Sequence, residues 1–261
     1  MKLIVALFAG LLLSPLCVRA ASVLMEDMTW PEVQRAIASG RTTAIYYAGS
    51  TEQNGPHMVL GKHNFIARHV AQRIAEQLGN ALVYPVMPFA PTGDAGSRTD
   101  HMRFPGSVSV LEETFRAVAS DVATSARAAG FRNIVLMGDH GGGQQALQKL
   151  AEHLNGQWAA RGVHVHYISD VYYKSQQEMQ EYLAARALDA GAHAGLPDTS
   201  ELMALDTTEK WIRKDLLMKG DGRNGVDGDP RQASAELGRV LLSIKVKNAV
   251  AQIHDLVGRN H

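Results

Sequence analysis

Three side chains able to do chemistry fall within twelve residues of one another. Residues 49–64 read GSTEQNGPHMVLGKHN, with one carboxylate, Glu52, and two imidazoles, His57 and His63, around the turn pair Gly55-Pro56. Carboxylate plus imidazole is the donor set of hydrolytic zinc, manganese or iron sites. The same residue types recur downstream. GDHGGG at 138–143 carries Asp139 and His140, DHMRFPG at 100–106 carries His101 and Phe104, and HAGLPDTS at 193–200 carries His193 and Asp198. A glycine-rich turn can also cradle a phosphate at a helix N-terminus, but 138–143 has neither the G-x-G-x-x-G spacing nor the Lys-Ser/Thr pair of a P-loop. An acid and a histidine with backbone room beside them fit a metal or reaction centre better.

Such groups work only if the fold brings them together. The β-branched and aromatic run at 42–47 predicts a strand that Gly49 stops, so Glu52 follows a strand end. The apolar run at 133–137 predicts a second strand ending at Asp139 and His140. A helix follows it, with Leu147, Leu150, Ala151 and Leu154 on one face at spacings of three and four. Strands are expected near 42–48, 81–86, 132–137 and 163–168, and helices near 63–78, 110–129, 144–160 and 174–190. This alternation predicts an α/β protein with a mainly parallel sheet covered by helices on both faces. In such folds ligands sit at the carboxyl ends of strands, where these motifs fall. A C-terminal helix is expected to start with Pro230 in its first turn and to run through Leu237, Val240, Leu241, Ile244, Val246 and Val250. The glycine- and aspartate-rich stretch 219–230 before it is expected to be an ordered loop.

Residues 1–20 have the form of a secretory signal peptide: Met1-Lys2, an apolar run at 3–13, Pro15, then Val18-Arg19-Ala20 at a small-residue cleavage site. The run is too short to span a bilayer, and no later stretch reaches membrane length. The expectation is an exported protein, periplasmic or secreted, with residues 21–261 as one domain and no membrane association after cleavage. Cys17 is the only cysteine, so neither disulfides nor thiols remain in the mature chain. Lysine plus arginine and aspartate plus glutamate both number 26, and no basic run occurs, which argues against a nucleic-acid partner.

The motifs together resemble the creatininase (creatinine amidohydrolase) family. Its E-Q-H-G-P-H-L-P-L-x-x-D motif is followed by Glu52-Gln53-Asn54-Gly55-Pro56-His57 and Leu60. Its F-P-G-[ST]-[ILV]-S pattern matches 104–109, its G-H-G-G-N turn is echoed at 139–143, H-A-G-x-x-E-T-S at 193–200, and G-D-P-x-x-A-x-x-E-x-G at 228–238. The resemblance runs in order along nearly all of the mature chain. It implies a three-layer α/β/α fold, divalent metal at strand ends, and hydrolysis of C–N bonds in cyclic amides, ureides or formamides. It also implies a small-molecule substrate and a homo-oligomer.

Two departures change what the resemblance implies. Asn54 stands where the family has a metal-binding histidine, and His63 stands where it has the aspartate that bridges two metals. A carboxylate bridges with two oxygens, whereas a neutral imidazole offers one lone pair to one metal. Both changes point to one ion in place of two, with Glu52, His63 and His140 as ligands, Asp198 at the family's glutamate position as ligand or base, and zinc ahead of manganese or iron. His193 takes the family's proton-donor place. Asp139 is a second candidate base, and otherwise orients His140 or caps the next helix. Asn54, His57, His101 and Phe104 are assigned to substrate contact, with a loop-holding hydrogen bond as the other reading of His57. A different class of protein stays open as well: an exported binding protein that keeps the pocket and has lost the metal.

Overall fold

The computed structural model describes residues 22–258, so the expected signal peptide at 1–20, with Cys17, and His261 lie outside the described residues. Four strands, β1 (Thr43–Ala48), β2 (Ala81–Val83), β3 (Asn133–Gly138) and β4 (His164–Tyr167), form a sheet ordered β2-β1-β3-β4, parallel throughout. The helices are α1 (Trp30–Ala38), α2 (Lys62–Leu78), α3 (Glu112–Ala129), α4 (Gln144–Trp158), α5 (Tyr173–Ala184), α6 (Leu196–Leu205) and α7 (Ala235–Gly258). A two-stranded antiparallel ribbon, β5 (Gly220–Asp221) with β6 (Asp227–Gly228), occupies the glycine-rich stretch before α7.

Every residue of β1 and β3 is buried, because helices cover both faces of the sheet. Alternation along each strand sorts their side chains. Ile45, Tyr47, Val135 and Met137 pack with Ile66, Val70 and Ile74 of α2 and Leu242, Val246 and Ile253 of α7. Ala44, Tyr46, Ile134 and Leu136 pack on the opposite side with Phe115 and Ala119 of α3 and Leu147, Leu150 and Leu154 of α4. This is the three-layer α/β/α arrangement. The register pairs Ala48 with Gly138, so β1 and β3 end side by side. From that pair the chain order runs outward to β2 on one side and β4 on the other. The crevice between β1 and β3 is therefore the topological switch point, where α/β folds bind ligands.

Several predicted elements appear with shorter ends. β2 stops at Val83, and α5 stops at Ala184, before Ala187 adopts a positive φ of 55°. Pro230 does not open the last helix. It starts a 3-10 turn, Pro230–Gln232, and α7 begins at Ala235 after the Ser234 hydroxyl accepts the Leu237 amide at 3.2 Å. Early in α7, Gly238 lies against α6, and a Cβ there would collide with the Ser200 carbonyl. A backbone atom cannot turn aside as a side chain can. Gly238→Ala is expected to destabilise the chain by about 1–3 kcal/mol, with the midpoint of thermal unfolding falling by roughly 2–4 °C for each of those. An unchanged midpoint would show that α6 and α7 separate freely at this crossing.

Candidate metal centre

Glu52 lies four residues past the end of β1 and is fully buried. A carboxylate in that position needs partners, and here they are mostly imidazoles. Its Oε1 is 3.1 Å from His63 Nε2, and its Oε2 is 2.9 Å from His140 Nε2 and accepts the Ser50 hydroxyl at 2.8 Å. His101 Nε2 and His193 Nδ1 stand 3.8 and 3.9 Å from Oε1. Burial alone would raise the pKa of Glu52, but His63 and His140 hold it far below the usual carboxylate range.

Each imidazole arrives from a different element. His63 is in the first turn of α2, and His140 is in the turn between β3 and α4. His101 lies in a 3-10 turn, Asp100–Arg103, whose first residue has φ 48°, and its ring centroid is 4.5 Å from that of His193. His193 precedes α6. Glu52, His101 and His140 present ligand atoms that all lie within 4.8 Å of one another, close enough to hold one ion.

The hydrogen bonds on the far side of each ring say which nitrogen carries the proton. His63 Nδ1 donates to Asp139 Oδ2 at 2.7 Å and Nε2 donates to Glu52 Oε1 at 3.1 Å, so both ring nitrogens carry a proton here; burial and Lys62 work against that charge, but Glu52 and Asp139 raise its pKa. A carboxylate behind the ring is the usual setting of a metal-bound histidine, whose front nitrogen gives up its proton to an ion. His193 donates Nε2–H to the Gln53 carbonyl at 2.9 Å, which turns the Nδ1 lone pair toward the centre. His140 Nδ1 accepts the Gly142 amide at 2.9 Å, and the Gln53 amide nitrogen lies 3.2 Å from His101 Nδ1. Those two rings therefore present Nε2–H in this arrangement. Distance thus groups His101 with Glu52 and His140, whereas hydrogen bonding favours His63 as the prepared ligand. Glu52 and His140 belong to the cluster by distance and touch each other at 2.9 Å.

Around this centre lie charges that the motifs did not point to. Lys62 is buried and its Nζ is 2.8 Å from Asp198 Oδ2, which also accepts the Ala194 amide at 2.8 Å. Burial would raise the pKa of Asp198, yet Lys62, with help from His193 and His63, holds it well below the usual range. Lys245 of α7 reaches Asp139 Oδ1 at 3.0 Å and Glu201 Oε2 at 2.9 Å. Asp139 therefore turns to His63 and Lys245 rather than orienting His140 or capping α4. Burial pushes the Glu201 carboxyl up, partly offset by Lys245. Burial, then Lys62, takes His193 down to about 4, so its imidazole is neutral near pH 7.

A cavity of about 550 Å³ opens over these groups, lined by Glu52, His63, His101, His140, His193 and Asp198, with Tyr172 and Gln176 among its other lining residues. Of the residues assigned to substrate contact, only His101 lines it. Asn54 is fully buried, its amide donating to the carbonyls of Glu52 and Val59 while Oδ1 has no partner. His57 is also fully buried and bonds Thr199 Oγ1 at 2.9 Å, tying the 49–64 loop to α6. Phe104 lies beyond the cavity lining, under the Arg103 guanidinium. Lys62 could have been found from its place beside His63. Lys245 could have been found from Leu241, Leu242 and Ala249, since it occupies the same buried helical stripe.

Parallel sheet, two helical layers and a carboxylate–imidazole cluster at the switch point define an α/β/α protein with a site able to hold a metal ion. The family model described as creatinine amidohydrolase matches residues 26–253, and the chain belongs to the creatininase family. It is 25% identical over 246 residues to a mycofactocin precursor peptide peptidase of Mycobacterium ulcerans (strain Agy99), covering 86% of this chain and 85% of that protein. It is 29% identical to a creatinine amidohydrolase of Pseudomonas putida over 119 residues, which is 46% of this chain and 45% of that one. A solved creatininase in its manganese form aligns with TM-score 0.74 and 21% identity, over 90% of this chain and 98% of the other.

Proposed function

We propose that this chain is a metal-dependent hydrolase that cleaves a C–N bond of a small cyclic amide, ureide or formamide with one divalent ion. The observation that carries the reading is the convergence of imidazoles on the fully buried Glu52 carboxylate at the edge of a 550 Å³ cavity. Glu52, His63 and His140 would hold the ion, with His101 beside them. His63 is preferred over His101 as third ligand because Asp139 already holds its far nitrogen. Solved creatininases of manganese and Zn–Zn types support the choice of metals, with zinc first here because two imidazoles and a carboxylate suit it. Such an ion lowers the pKa of a water it binds and polarises a carbonyl.

The proton steps fall to protein groups. His193 is neutral and shows Nδ1 to the centre, so it takes the proton of the attacking water and returns it to the departing nitrogen. In this reading it is acceptor first and donor second. Asp139 has both oxygens engaged and serves to hold His63. Asp198 is taken up by Lys62 and the Ala194 amide, both on Oδ2, and it acts by its charge beside His193.

The match to a peptide peptidase over most of both chains favours a second substrate class, a short peptide, and the cavity exceeds what a single small ring fills. One experiment tests the function. Purified protein is analysed for metal and then assayed against lactams, cyclic ureides, formamides and short peptides, with and without chelator. About one ion per chain and chelator-sensitive hydrolysis are expected. Two tightly held ions would overturn the single-ion reading, and no ion after metal loading would favour the binding-protein alternative. Export is part of the same proposal, supported by the leader at 1–20, and amino-terminal sequencing of the protein recovered from outside the cytoplasm checks it.

A further inference from the structure

We infer that Lys245 is a positioning residue that acts through Asp139 on His63. A continuous chain of contacts leads from the last helix to the centre. Lys245 Nζ meets Asp139 Oδ1 at 3.0 Å, Asp139 Oδ2 meets His63 Nδ1 at 2.7 Å, and His63 Nε2 meets Glu52 Oε1 at 3.1 Å. The chain joins α7, the end of β3, the start of α2 and the loop after β1. Tyr47 adds a longer contact to Asp139 Oδ1 at 3.4 Å, and Glu201 of α6 holds Lys245 from the other side at 2.9 Å.

Three features argue that this chain is more than packing. A carboxylate has two oxygens, and Asp139 spends one on Lys245 and one on His63, so the ammonium fixes the plane in which the imidazole is held. Buried ion pairs are seldom kept for stability, since apolar residues of similar volume do as well or better. Lys245 also borders the cavity, so the network touches the space where chemistry would occur. Without Lys245, Asp139 Oδ1 keeps only the longer Tyr47 contact at 3.4 Å, and the His63 ring is held less firmly in its aim at Glu52.

The inference takes its functional meaning from the reading of Glu52 and His63 as the reaction centre, but its core is a statement about hydrogen bonding. The test uses the full chain with Lys245→Met, and with Lys245→Cys in a Cys17→Ser background so that residue 245 is the single thiol. Alkylation with 2-bromoethylamine rebuilds an ammonium of nearly lysine length, and iodoacetamide leaves a neutral amide instead. Ring nitrogen and Nδ1 proton resonances of His63 are recorded by nuclear magnetic resonance, alongside thermal unfolding and turnover of whichever compound the wild type hydrolyses.

Expected for both variants is a folded protein whose hydrogen-bonded Nδ1 proton signal is shifted or lost. Turnover should fall about 10–100-fold, as for a group that holds a metal ligand from behind. Aminoethylation restores signal and turnover, whereas the neutral amide restores neither. The inference is overturned if the His63 signal is unchanged in Lys245→Met, or if iodoacetamide treatment restores as much as bromoethylamine. If the wild type neither binds metal nor hydrolyses anything, the resonance arm still decides: a signal lost in Lys245→Met and regained on aminoethylation upholds the positioning role while the proposed hydrolase activity falls.

Discussion

Glu52→Gln is expected to empty the metal centre while leaving the rest of the chain folded. The side chain keeps its size and its place behind Ser50, so no cavity opens in the buried crevice. What changes is chemistry. An ionised carboxylate only accepts hydrogen bonds and carries the charge that draws a cation, whereas an amide brings an NH2 group to face imidazole nitrogens already 2.9 and 3.1 Å away. Metal content should drop from about one ion per chain to a small fraction of that, since Glu52 is the carboxylate paired with His140 among the described residues. Hydrolysis should disappear with it. Breaking a buried charge pair from one side costs about 3–5 kcal/mol in other proteins, so unfolding is measured in chelator for both forms, which separates lost metal from lost fold. A Glu52→Gln protein that still holds one ion tightly would show that the carboxylate is not the anchor of the centre.

His193→Ala gives the second large effect, in the opposite pattern. The ring is held by a hydrogen bond to the Gln53 carbonyl, and it stands outside the group of Glu52, His101 and His140 whose ligand atoms lie within 4.8 Å of one another. Its loss should leave metal content unchanged and lower kcat by about 100- to 10,000-fold, the usual range for a general acid–base group. KM should move little. His193→Gln is a useful companion, because it can keep a contact to the Gln53 carbonyl but cannot relay a proton. Loss of metal in His193→Ala would make the residue a ligand, and full activity would remove the 193–200 motif from the chemistry altogether. The two variants together sort the centre into groups that hold the ion and groups that move protons.

How far the sequence alone could reach depends on what each residue needs in order to be recognised. The strands and helices were legible because burial on both faces leaves a run of apolar residues, and burial on one face leaves a period of 3.6 or 2. Glu52, His140 and His193 were legible for another reason. They sit in short turns just after strands or before helices, where glycine and proline mark a backbone shaped for a purpose. Their family motifs survive almost letter for letter at 52–57 and 193–200.

Boundaries were less legible, as α7 shows. Proline suits the first turn of a helix, but it suits a 3-10 turn equally, and nothing local to Pro230 separates the two. Lys62 and Lys245 were missed because a lysine is expected to reach solvent, whereas here Lys62 is buried against Asp198 and Lys245 is turned inward to Asp139 and Glu201. His101 could be assigned to the pocket but not to the ion, since 49 residues separate it from Glu52 and no spacing rule links two loops. The direction of Asp139 was also beyond sequence. Its neighbour His140 is one residue away, yet adjacent side chains leaving a strand point to opposite sides, and the partner it finds is His63 from another element.

The sequence therefore determined which elements form and which residues stand at their ends, because both follow from local patterns of burial and backbone freedom. Tertiary structure decided which nitrogen of each histidine faces Glu52, which acids are neutralised by lysine, and which polar groups face the cavity and which lie behind it. Those outcomes depend on hydrogen bonds between residues far apart in the chain, and such bonds exist only after the layers have packed.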